Sequence, residues 1–242
     1  MGSLPSSDLD GSTSEYYYRH SSDSKDSIPK TRICLISTPH AKCKHVSGHT
    51  CDSISEKGSE FLQTELLSNG WLVSRHSGDI NRSEIDLNRY ESRFKTEFRE
   101  NIWNIYKKYV GKPLWIWDVH SYPDGKYSDT PSECVLLSPY GNTRARKHNH
   151  HLKAWLSQEG ISVILYEGSK INDITTEATG FGYEYVFLLE LNEFLSDSRM
   201  RFLMNRIVFW MNSHWIENHT RLIHFWYCAV HTHRLKLVDI LS

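Results

Sequence analysis

The 242-residue chain lacks a charge of one sign: 28 Lys and Arg stand against 29 Asp and Glu, a balance of −1. No global field draws it to a polyanion, so neither nucleic acid nor an anionic membrane is an expected partner. It lacks any run of 18 apolar residues, so no membrane span is expected. CxxC spacing is missing too: the five cysteines fall at 34, 43, 51, 134 and 228, with no signal-peptide pattern ahead of them. Reduced thiols in a cytoplasmic protein are the expectation. There is no internal repeat, and the length suits one sizeable α/β domain, not two. Residues 1–30 have few aliphatics, are rich in Ser and Asp and carry Tyr16-Tyr17-Tyr18. Such a segment cannot bury enough surface to offset its ordering entropy and is expected to be a disordered tail.

Histidine is in excess, with 14 in the chain, which makes a metal site worth seeking. The central stretch is Trp115-Ile-Trp-Asp118-Val-His120-Ser121, an apolar run ending in polar groups and followed by Pro123 and Gly125. It reads as a buried strand with chemistry at its carboxyl end, where ligands bind in open α/β sheets. Further strands are expected at Thr31–Thr38, Trp71–Ser74, Cys134–Ser138, Ile161–Tyr166 and Tyr185–Leu191. Helices are expected from Asp52 until Gly70 stops the first, opened by a Ser53/Glu56 capping box, and over about Phe94–Val110, about Thr143–Gln158 and Asp197–Trp215. Thr175–Gly182 reads as a flexible loop. Strands alternating with helices imply an α/β fold, three-layered, with a central, mostly parallel mixed sheet. Residues 31–215 form the expected catalytic domain, and 216–242, crowded with His and aromatics in no clear period, an extension of no assigned role.

The polar groups at strand ends form a candidate constellation: His40, Asp118, His120 and Glu190, with Asp52 at a helix start and Arg82, Asp86, Asn88 and Arg89 in a polar segment. Two neutral imidazoles and a carboxylate fill three of zinc's four tetrahedral positions and leave one for water, the ligand count of a catalytic site. Each residue also has a plainer reading. Asp52 could be an N-cap, worth about 1 kcal/mol, and His40 a loop histidine. Asp118 and Ser121 could cap a turn, and Arg82 and Arg89 could pair with Glu84 and Glu91. Glu190 in an apolar strand is harder to dismiss, because a buried carboxylate without a partner is costly.

The order of these motifs is specific. Thr38-Pro39-His40, Asp52, Arg82-x-x-Ile-Asp86-Leu-Asn88-Arg89, Asp118-x-His120-Ser121, Cys134-Val-Leu-Leu-x-x-x-Gly141 and Leu189-Glu190-Leu191-Asn192 resemble the N-formylglutamate amidohydrolase family. The likeness runs from about Ile33 to Asp197, with the Ile-Asp-Leu-Asn-Arg block its most specific part. The resemblance implies a zinc-dependent exopeptidase-like fold and hydrolysis of a small acyl-amino acid, N-formyl-L-glutamate giving formate and glutamate. It implies His40, Asp52 and His120 as ligands of one Zn²⁺ and Glu190 as general base. Arg82 or Arg89 would anchor substrate carboxylates, with Asp86, Asn88 and Arg144 as further substrate contacts and Asp118 and Ser121 supporting the ligands.

The chain departs from the family pattern where Ala41-Lys42 replaces Ser-Gly, where the acidic pair is reduced to Cys51-Asp52, and where Glu193 stands in place of arginine. Part of the middle insertion is also missing. These departures bear on the substrate more than on the reaction class. They leave a zinc peptidase, a cell-wall-type amidase and a catalytically silent binding module on the same scaffold as alternatives. A two-metal ureohydrolase, suggested by Asp118-x-His120, would need Asp-rich ligand strands that the sequence does not contain.

Overall fold

The expected central strand is β3, Leu114–Tyr122, buried along all nine residues. It lies inside a six-stranded sheet of order β2-β1-β3-β6-β4-β5, in a computed structural model that describes residues 31–42, 52, 54–89, 92, 95–123, 125–127, 131–167 and 173–216. The other strands are β1 (Ile33–Thr38), β2 (Leu72–Ser77), β4 (Cys134–Ser138), β5 (Val163–Glu167) and β6 (Tyr185–Asn192). The helices are α1 (Ser55–Ser68), α2 (Glu97–Lys108), α3 (Thr143–Gln158), α4 (Asp173–Gly180) and α5 (residues 197–216). β2, β1, β3 and β6 run parallel, whereas β4 pairs antiparallel with β6 and carries β5 parallel to itself. The α/β class with a mostly parallel mixed sheet is therefore observed. The expected tail 1–30 and most of the extension 216–242 lie outside the described residues.

Side chains alternate faces along each strand with a period of two, and the two faces carry separate cores. On one, Trp115, Trp117 and Val119 of β3 and Phe187, Leu189 and Leu191 of β6 meet α1, α3 and α5. On the other, Ile116 and Val186 meet Phe98, Ile102 and Tyr106 of α2 and Ile174 and Ala178 of α4. Asp118, His120 and Glu190 belong by parity to this second face, at the strands' carboxyl ends.

Several expectations are corrected. The segment read as a loop at Thr175–Gly182 is mostly helix α4, because Ile174 and Ala178, four residues apart, bury under the sheet and outweigh a weak local propensity. α1 is not opened by a capping box: its N-cap is Ile54, with no side-chain cap. Ser53 lies outside the described residues, and the Glu56 carboxylate is engaged by Arg75 at 2.8 Å and Ser77 at 2.9 Å. β2 extends to Ser77 despite its polar Arg75, His76 and Ser77, because an edge strand needs only one ladder partner, here β1.

Candidate metal centre

Three segments converge at the carboxyl ends of β1 and β3. The turn after β1 carries His40, and its geometry depends on Gly78, whose amide donates to the Thr38 carbonyl at 2.8 Å. A Cβ on Gly78 would lie 2.2 Å from the Pro39 carbonyl oxygen, so only glycine permits this approach. Asp52 precedes α1, and its carbonyl accepts from the amide and hydroxyl of Ser55. Its side chain is thus free of helix capping, the plainer role considered for it. The Asp86-Leu87-Asn88 segment is held by Arg99 of α2, 1% exposed, whose Nη1 donates to the Leu87 carbonyl at 2.9 Å while Nη2 donates to Glu177 at 2.7 Å. With Leu87 fully buried, the flanking Asp86 and Asn88 face the histidines.

The histidine contacts are paired. His40 Nδ1 lies 3.1 Å and His120 Nδ1 2.8 Å from one atom, Asp52 Oδ2. On the far side of each ring, His40 Nε2 is 2.7 Å from Asp86 Oδ1, and His120 Nε2 is 3.1 Å from Asp118 Oδ2. Asp118 is itself oriented by Ser37, whose hydroxyl donates to Oδ1 at 2.8 Å. Asn88 Nδ2 lies 3.3 Å from His120 Nε2. The two rings meet edge-on, centroids 5.0 Å apart.

A neutral imidazole has one N–H and one lone pair, yet each of these rings has a carboxylate at both nitrogens. Either both rings carry an extra proton, or a cation shared by the two Nδ1 atoms and Asp52 takes the place of those protons. The donor atoms of His40, Asp52 and His120 all lie within 4.8 Å of one another, and among the described residues they form the one such group. Tetrahedral bonds of 2.0–2.1 Å give donor separations of roughly 3.4 Å, against 3.1 and 2.8 Å from the two Nδ1 atoms to Asp52 Oδ2. The Nε2–carboxylate pairs then fix each ring's tautomer and orientation, as outer carboxylates do in histidine metal sites. The residues fit a divalent metal.

The electrostatics agree. Burial disfavours a charged Asp52, but hydrogen bonds and charge from His120 and His40 outweigh it and hold the carboxyl well below the usual range. Asp86 is held low in the same way against its burial, by His40, the Asn88 amide and Arg82. Burial opposes an imidazolium at His120, yet Asp118 and then Asp52 outweigh it and push the ring's pKa well above the ordinary value.

Arg82 and Arg89 converge on one carboxylate, and Glu91 lies outside the described residues. Both face Asp86, at 3.6 and 3.3 Å, and Arg82 also lies 3.9 Å from Asp52. Glu190 pairs in register with His120. Its Oε1 accepts from Tyr127 at 2.7 Å, and its Oε2 lies 3.4 Å from Lys126 Nζ.

Two expected residues are elsewhere. Arg144 sits at the start of α3, 75% exposed and 3.8 Å from Glu184, near the amino end of β6 and so at the opposite edge of the sheet. It takes no part in the cluster. Ser121 points by parity to the face opposite His120 and donates to Glu193 at 3.2 Å. Lys126, Tyr127 and Arg99 were passed over in the sequence. No motif flags the first two, and Arg99 reads there as one more charge on an amphipathic helix.

No protein-family model matches the chain, and no curated sequence relative does. Solved structures do match. One is a gene product of Agrobacterium tumefaciens, with TM-score 0.56 and 13% identity, the match covering 77% of this chain and 91% of that one. Another is N-formylglutamate amidohydrolase from Ralstonia eutropha JMP134, with TM-score 0.54 and 12% identity, covering 76% of this chain and 96% of that one. The fold is thus that of N-formylglutamate amidohydrolase-like structures, as the motif order implied.

Proposed function

We propose that the chain is a metal-dependent hydrolase of carbon–nitrogen amide bonds. In this reading Zn²⁺ is the ion and a small N-acyl amino acid the substrate, N-formyl-L-glutamate being split to formate and L-glutamate. One observation carries it: both Nδ1 atoms share Asp52 Oδ2 while both Nε2 atoms are held by carboxylates of their own. Zinc bound by His40, Asp52 and His120 supplies Lewis acidity and a water acidified to a pKa of about 7.

The chain's own groups supply the rest. Glu190 receives a proton from the attacking water and returns it to the departing amine nitrogen, so that the C–N bond breaks with a neutral leaving group. Arg82 and Arg89, 25% and 38% exposed, offer guanidinium forks at the rim to a substrate carboxylate. Asp118 and Asp86 keep the imidazoles oriented. A cytoplasmic setting belongs to the same reading. It is supported by the buried free thiols Cys34 and Cys134.

The test is a zinc titration of the purified chain with a screen of N-formyl-L-glutamate, other acyl-amino acids and short peptides. Stoichiometric zinc and deformylation are expected; absence of both bound metal and amidase activity after zinc addition would defeat the proposal. A second reading moves the substrate to a peptide or cell-wall-type amide. It is motivated by Glu193, which stands where the resembling family has a cation; among the described residues its carboxylate accepts from the Ser121 hydroxyl.

A further inference from the structure

The segment after β3 brings onto Glu190 a side chain that no sequence motif marks. Tyr127 donates its hydroxyl to Glu190 Oε1 at 2.7 Å. It is itself held from several sides. Its ring packs edge-on against Tyr122 at 5.1 Å, Lys126 Nζ lies over it at 4.9 Å, and its carbonyl accepts from the Tyr166 hydroxyl of β5. Tyr122 is in turn buried, its own hydroxyl 2.7 Å from the Ser132 carbonyl. Burial, then the charge and hydrogen bond of Glu190, then the charge of Asp52 push the Tyr127 phenol far above its ordinary range, so it remains a proton donor.

The two oxygens of Glu190 are therefore not equivalent. Oε1 is committed to a short bond from an anchored phenol, whereas Oε2 has, among the described residues, a 3.4 Å contact with an ammonium that is 46% exposed. We propose that Tyr127 is a positioning residue for Glu190: it fixes Oε1 and so selects Oε2 as the oxygen that takes the proton. This rests on the reading of Glu190 as the base. In the step, an O–H bond of the attacking water breaks, an O–H bond forms at Oε2 and the oxygen adds to the amide carbon. The proton later passes to the amine nitrogen as the C–N bond breaks, and Tyr127 keeps its own proton throughout.

The test compares zinc-loaded full-length parent and Tyr127→Phe, with zinc affinity measured by chelator competition. Phe preserves the ring packing against Tyr122. The expected result is a fall of about 10- to 100-fold in kcat, the range for outer groups that orient a reacting one, with KM and zinc affinity within about threefold. A second readout needs no activity: in metal-free chain labelled at tyrosine Cζ, the carbon resonance missing from Tyr127→Phe should shift in Glu190→Gln. An active parent with an unchanged kcat in Tyr127→Phe overturns the inference and leaves the amidase reading intact. So does a kcat that falls only in step with zinc affinity, or a resonance that stays in place. A parent inactive across the substrate screen removes the amidase reading itself and the positioning role with it.

Discussion

Glu190 stands directly opposite His120 across the parallel ladder of β3 and β6. Adjacent strands lie about 4.8 Å apart, so a carboxylate and a metal-ligating imidazole share one face one strand spacing apart. Glu190→Gln keeps the shape and removes the base. It is expected to retain stoichiometric zinc while kcat falls by about 10²- to 10⁴-fold. Metal analysis beside steady-state kinetics checks it, and loss of the metal together with activity would make Glu190 a ligand rather than a base.

Asp118 touches no metal position itself, yet it holds His120 Nε2 and is held by Ser37. Asp118→Asn should weaken zinc binding by about 10- to 100-fold, with activity recovered at saturating zinc. His120→Ala should lose both, and excess zinc should not restore it. Chelator treatment of the parent should abolish turnover reversibly.

Gly78→Ala places a methyl group against the Pro39 carbonyl and 2.7 Å from Leu87 Cδ1. The turn bearing His40 and the segment bearing Asp86 must then move apart. A loss of about 1–3 kcal/mol in unfolding free energy is expected, together with weaker zinc binding. Chemical denaturation and metal competition on the same sample measure the two effects, and an unchanged zinc affinity would break the link between this glycine and the site.

Arg99 and Glu177 form a buried pair, their side chains 0% and 8% exposed. Arg99→Ala takes one donor from Glu177 and one from the Leu87 carbonyl, which keeps the Ser92 hydroxyl at 3.1 Å, and should cost up to about 3–5 kcal/mol. The double variant with Glu177→Ala should recover part of that, because it also removes the buried carboxylate that Arg99 faced. A thermodynamic cycle of urea melts distinguishes coupling from simple additivity.

Glu133 accepts two hydrogen bonds from the Arg199 guanidinium, and that contact, against a smaller effect of burial, lowers its carboxyl below the ordinary value. A depressed carboxyl pKa contributes stability that is fully present above the unfolded value of about 4.3 and is lost as pH falls through the folded value. Glu133→Gln should thus be less stable than the parent at pH 7 by about 1 kcal/mol, modest because Arg199 is partly exposed. The gap should close as pH drops below the carboxylate range. A gap that stayed constant with pH would show that charge is not its source.

Local pattern was sufficient for much of this. The buried strand at Trp115–Ser121, the helix over about Thr143–Gln158 and the alternation that implies an α/β sheet are all legible, because burial periodicity and stop signals are local. Motif order likewise pointed to His40, Asp52, His120 and Glu190. α4 was not legible, since its helicity depends on two apolar residues finding the sheet.

Sequence alone determined which residue types could serve as donors and in what order the chain presents them. Tertiary structure decided which of them meet. β4 runs antiparallel to β6, so the turn after β4, with Arg144, falls at the far edge, while the connection before β4 delivers Lys126 and Tyr127 to Glu190. Strand direction is a property of pairing between distant segments, and a residue's own neighbours in the chain carry no record of it.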